Sequence, residues 1–146
     1  ATEETDVDLN HIVKDIITVL YIPNNINIKI NKPLPTLKGD KTKLQQVFLN
    51  LITNAIKFSD KSKGHIEIDF VPKENHYEFS VKDNGIGIEK KYHDKIFKIF
   101  HTLNRSKDST GIGLSIVKKI VNLHGGDVWL ESELNEGTIF YFTLKK

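Results

Sequence analysis

Apolar and polar positions along the chain recur with two periods, and each period marks an element. Residues 9–20 carry Ile12, Val13, Ile16, Ile17 and Leu20 at helical spacing behind Asp8, a residue suited to cap a helix start. Residues 25–31 (NINIKIN) alternate strictly, as a half-buried strand does, and Pro33 and Pro35 then break the chain. A second helix is signalled by Leu44, Val47, Phe48, Leu51, Ile52 and Ala55, with Asp40 as its candidate cap. His65 to Val71 and Tyr77 to Val81 alternate again, joined by the turn-like Pro72 to Asn75, and predict an antiparallel pair. A short helix is expected from Glu89 to Phe97. After a polar stretch through Ser109, Leu114, Val117, Ile120, Val121 and His124 form a further helix that ends at Gly125 and Gly126. Val128 and Leu130, and then Ile139 to Leu144, supply two last strands around a turn at Asn135 to Gly137. This order predicts an α+β fold: a two-layer α/β sandwich, with a mixed, mainly antiparallel sheet of about five strands and three main helices on one face.

Composition agrees with one globular domain over residues 1–146. The 146 residues are 38% hydrophobic, with 9 Gly, 4 Pro and no low-complexity run. Lys and Arg number 21 against 19 Asp and Glu, a formal charge of +2, so the dense basic face that nucleic acid requires is missing; Lys41, Lys43, Lys57, Lys61, Lys63 and Lys73 make at most a local patch. The absence of Cys excludes disulfides, thiolate zinc sites and a Cys nucleophile, and fits a reducing, cytoplasmic setting. No apolar run approaches the ~18 residues that span a bilayer, so no direct membrane contact is expected. The acidic start without Met reads as the opening of a module excised from a longer protein.

Three polar constellations remain. On the second helix, Asn50, Asn54 and Lys57 fall within about 60° of one another, beside the apolar face. That is also what the solvated edge of an amphipathic helix looks like. Asn is a poor helix former, however, and an amide oxygen is a hard ligand suited to Mg²⁺. Asp83-Asn84-Gly85-Ile86-Gly87 follows a strand directly. It reads either as a plain hairpin turn or as a carboxylate that accepts from the exocyclic amine of a purine, with glycines that let the backbone approach the ring. Thr110-Gly111-Ile112-Gly113-Leu114 opens a helix, as a flexible start or as an anion site at its positive end. Neither glycine pair extends to the dinucleotide fingerprint, and no P-loop pattern is present.

In sequence order these pieces resemble the ATP-binding domain of sensor histidine kinases, in the GHKL superfamily shared with gyrase, Hsp90 and MutL. The resemblance runs from about Asp6 to Leu144. Residues 50–58 (NLITNAIKF) look like the N box, Asp83 to Ile88 the G1 box, Ile96 to Phe100 the F box and Gly111 to Leu114 the G2 box, while Gly137-Thr138 is similar to the last glycine motif. The resemblance implies the Bergerat-type ATP-binding fold, with ATP and Mg²⁺ as ligands and ADP as product. It gives Asp83 the adenine amine, Asn54 the Mg²⁺, and Asn50 and Lys57 the phosphates and the catalytic role. It adds Gly85, Gly87, Ile88, Phe97, Phe100, Gly111, Gly113, Leu114 and Thr138 to the nucleotide site. His101 to Ser109 becomes a short ATP lid, from which Arg105 or Lys107 reaches the γ-phosphate.

ATPases of that superfamily carry Glu at the position matching Asn50. An amide takes no proton, so Asn50 implies slow hydrolysis and an ATP kept for another nucleophile. The expected acceptor is a His on a separate dimerisation domain, since none of His11, His65, His76, His93 and His124 stands in a leading helical hairpin. The implied partners are that domain of the same parent protein and a downstream response regulator. The isolated domain is expected to be a monomer and the parent a homodimer, membrane-anchored or not. A regulatory nucleotide-binding module, or a Ser/Thr kinase of the anti-sigma type, would share the same pocket.

Overall fold

The computed structural model describes residues 4–98 and 113–146. Helix α1 (Leu9–Val19) starts where the Asp8 carboxylate accepts from the His11 N–H, and α2 (Lys41–Lys57) where Asp40 accepts from Lys43, both at 3.1 Å. Each cap satisfies a backbone donor that the first helical turn leaves without a partner. Leu9, Ile12, Val13 and Ile16 of α1 are buried, as are all six apolar residues expected on α2. Helix α3 (Gly113–Leu123) buries Val117, Ile120 and Val121.

The strands are β1 (Thr5–Asp8), β2 (Ile26–Ile30), β3 (Thr36–Gly39), β4 (Gly64–Pro72), β5 (His76–Asp83), β6 (Val128–Glu133) and β7 (Gly137–Lys145). Five of them form one sheet in the order β2-β4-β5-β7-β6. Only the β2–β4 pairing is parallel. Along β4, β5 and β7 the alternation is clear. Ile66, Ile68, Phe79, Val81, Phe140, Phe142 and Leu144 are buried under the helices, and Glu67, Lys82 and Thr143 face the other way. Phe48 of α2 meets Phe79 edge-on at 5.9 Å and Phe142 at 5.3 Å, while Phe79 and Phe142 stack at 5.1 Å. These rings fix the middle of α2 over the two central strands.

Two expectations need correction. No regular helix forms over Glu89–Phe97: one 3₁₀ turn at Lys90–Tyr92 is followed by further turns, with Ile96 buried and Phe97 edge-on to Phe140 at 6.1 Å. Packing of two apolar residues, rather than a continuous ladder, holds this segment. A second, two-stranded antiparallel sheet pairs β1 with β3, from Thr5 opposite Gly39 to Asp8 opposite Thr36, and carries the chain into α1 and α2. Among the described residues, no helix is long and apolar enough to cross a membrane.

Helix α3 is joined to α2 at both of its own ends. At one end, Asn50 Nδ2 donates to the Gly113 carbonyl at 3.2 Å. At the other, His124 Nε2 accepts from the Asp40 N–H at 3.1 Å, which leaves Nδ1 to donate to Ile120 O at 2.9 Å.

Candidate functional site

The polar stripe of α2 lies where the helix rises from its buried face: Asn50 and Asn54 are half-buried and Lys57 is exposed in the last turn. Nδ2 of Asn50 uses one of its two hydrogens on Gly113, so this amide still offers a ligand Oδ1 and a second N–H. Gly113 and the half-buried Leu114 open α3 beside it, at the positive end of the helix dipole.

The other side of the site is the 83–88 segment, and it is held along its whole length. Asp83 closes β5 opposite Thr138 of β7. Among the described residues these two are the buried polar ones, 6% and 5% exposed. The Asp83 carboxylate accepts from the Gly85 N–H at 2.9 Å and also from the Thr138 N–H. Burial nevertheless raises its pKa above the ordinary 3.8, against the opposing pull of those two bonds and of Lys61. Asn84 ties back to β4, accepting from His65 N at 2.8 Å and donating to Lys63 O at 2.9 Å. A Cβ at Gly85 would collide with the carbonyl oxygen of Phe58, the residue that ends α2, so only glycine allows this approach. Ile86 N bonds that same carbonyl at 3.0 Å, and Lys61 Nζ donates to Gly85 O at 3.1 Å.

The tip of the β6–β7 hairpin completes the clamp. Asn135 N donates to Ile86 O at 2.7 Å, and Gly87 packs against Glu133. Ile88 is buried, its N–H donates to Ser132 Oγ at 2.8 Å, and its carbonyl accepts from His93 Nε2 at 2.8 Å. Gly137, at φ 130, lies so close to Asp83 that any side chain would strike the Asp83 carbonyl.

The structure therefore gathers Asp83, Gly85, Gly87, Ile88 and Thr138 at one end of the sheet, and Asn50 with Gly113 at the edge of α2. Asn54 lies one turn further along α2 and Lys57 one turn beyond that. Phe97 packs on the core next to Phe140. Phe100, Arg105 and Gly111, with the 101–109 lid, fall outside the described residues. Sequence reasoning gave Ser132, Asn84 and Lys61 no role in the site. Ser132 had a usable signal, because it shares the inward parity of Val128 and Leu130 on β6.

In comparison with known proteins, residues 39–146 match the family described as "Histidine kinase-, DNA gyrase B-, and HSP90-like ATPase". The sequence is 42% identical to "Cyanobacterial phytochrome B" of Nostoc sp. (strain PCC 7120), over 96% of this chain and 20% of that protein. The chain thus spans about a fifth of this longer relative. The catalytic domain of histidine kinase ThkA, in a nucleotide free form, superposes with a TM-score of 0.81 at 29% identity, covering 99% of this chain and 98% of that one. Full-length ShkA in complex with AMPPNP gives 0.82 at 28% identity, covering 99% of this chain and 31% of that one.

Proposed function

Because the chain belongs to the histidine kinase-, DNA gyrase B-, and HSP90-like ATPase family, we propose that it binds ATP between α2 and the 83–88 segment and passes the γ-phosphoryl group to a histidine on a separate dimerisation domain. The observation that carries this reading is the Asp83–Thr138 pair. A carboxylate 6% exposed costs stability unless something uses it, and its raised pKa marks the desolvation. Adenine supplies the missing partner: its amine donates to Asp83, where guanine would set a carbonyl against the carboxylate. ShkA, which shares this fold, was solved with an ATP analogue bound.

Asn50 and Lys57 then contact the phosphates, and Arg105 or Lys107 supplies the lid cation for the γ-phosphate. Asn54 holds the Mg²⁺. Two half-buried amides one turn apart offer the hard oxygens such an ion takes. When bound, Mg²⁺ neutralises phosphate charge in the transition state. Asn50 has no basic atom to activate water, so the nucleotide waits for the incoming imidazole. The imidazole nitrogen forms the new bond to the γ-phosphorus as the bond to the bridging oxygen breaks, releasing ADP. The parent protein works as a cytoplasmic homodimer that supplies the dimerisation domain, and a response regulator accepts the phosphoryl group from it.

The test combines the chain with its parent's dimerisation domain and γ-labelled ATP. An acid-labile label on that domain is expected. An acid-stable label would favour a Ser/Thr kinase, and no transfer despite nucleotide binding would favour a regulatory module.

A further inference from the structure

Ser132 is the junction of the purine side. Its Oγ donates to the Gly137 carbonyl at 2.8 Å, because a carbonyl has no hydrogen of its own to give. It accepts from Ile88 N at 2.8 Å, and Thr138 Oγ1 lies 2.8 Å away on the other side. A serine hydroxyl has one hydrogen and two lone pairs. With the hydrogen on Gly137 and one lone pair on Ile88, the remaining lone pair takes the Thr138 hydrogen. Thr138 can then only accept from a ligand or from a water that bridges to one. Its neighbour Asp83, opposite it in the ladder and bonded to its N–H, is also an acceptor.

We infer that Ser132 is a positioning residue for base recognition: its saturated hydroxyl fixes Thr138 as a hydrogen-bond acceptor beside Asp83, so that this corner favours a purine bearing an amine. The inference rests on the nucleotide reading above. Ser132 touches no ligand itself and acts through Thr138 and through the end of the 83–88 segment. Removing its hydroxyl frees the Thr138 hydrogen to turn and meet a ring carbonyl.

The test is calorimetric titration of the chain with ADP and with inosine diphosphate, which carries a carbonyl where adenine has the amine. Wild type is expected to prefer ADP. Ser132→Ala narrows that preference by about five- to tenfold, the effect of one neutral hydrogen bond, and Ser132→Thr, which keeps the hydroxyl, restores it. Thr138→Val narrows it as well, and adding Ser132→Ala to that variant changes the ratio no further. If Ser132→Ala does not fold, Thr138→Val decides alone, and an unchanged ratio there overturns the inference. So does Ser132→Ala weakening both nucleotides by one common factor, or altering neither. Either of those results leaves the nucleotide reading intact, whereas a wild-type chain that binds neither nucleotide removes both.

Discussion

The two sides of the candidate site are built in opposite ways. On the α2 side, a regular helix presents side chains from a face whose backbone is already satisfied within the helix, and at this rim the bond from Asn50 to Gly113 ties it to α3. On the 83–88 side the backbone itself is the working surface. Its amides and carbonyls are fixed by Asp83, Phe58, Lys61, Ser132 and Asn135. The α2 side can thus change a side chain with little disturbance of the fold. The 83–88 side has almost no part that is not also holding another.

That contrast can be broken at the floor both sides share. Phe48→Ala removes the ring wedged between Phe79 and Phe142 and is expected to lower unfolding free energy by about 3–5 kcal/mol in a denaturant titration. Asp83→Asn comes next. It should weaken ADP binding by about 1.5–3 kcal/mol, the worth of a hydrogen bond to a charged group, while stability holds or rises because a desolvated charge is gone. Equal affinity of the two proteins in calorimetry would refute the adenine assignment.

On the α2 side, Asn50→Ala should cost only about 0.5–1.5 kcal/mol of stability, read as a lowered Tm, because its amide is half-buried and tethers a single carbonyl. Phosphoryl transfer should suffer more than ADP affinity. A pH series sharpens the comparison further. The folded pKa of Asp83 lies above its unfolded value near 3.8, so its contribution to stability is fully present below that value and is lost as pH rises through the folded pKa. If Asp83 receives the adenine amine as proposed, ADP binding is expected to change the other way, fading as pH falls through the same window. Asp83→Asn should abolish both trends. If binding kept its wild-type pH profile in that variant, the titrating group would lie elsewhere. The smallest effect belongs to Lys61→Ala. It loses the bond to Gly85 O and a cation that opposes the upward push on Asp83, and should shift the binding profile to slightly higher pH.

The sequence made one side of the site far more legible than the other. Helical periodicity and capping aspartates located α1 and α2 to within a residue or so, and the rim of Asn50, Asn54 and Lys57 followed from geometry alone. Strands β1 and β3 were missed because TDVD and TLKG are too short to show alternation and gain their order only by pairing with each other. The segment after Glu89 was expected to be a helix, yet a 3₁₀ turn followed by irregular turns is what it forms. Asp83 was visible as a motif. Its supports were not, because Ser132 and Lys61 come from distant stretches of chain; Lys61 looks like an ordinary surface residue, and the inward parity of Ser132 says nothing of what it meets until the fold brings it in.

The paired fastenings of α2 and α3 have a mechanical consequence. His124 rivets the tail of α3 to the head of α2 at Asp40, and Asn50 rivets the head of α3 to the middle of α2. Two rivets a helix length apart resist sliding of one helix along the other, so a push delivered to either helix is shared with its partner at the Asn50 rim.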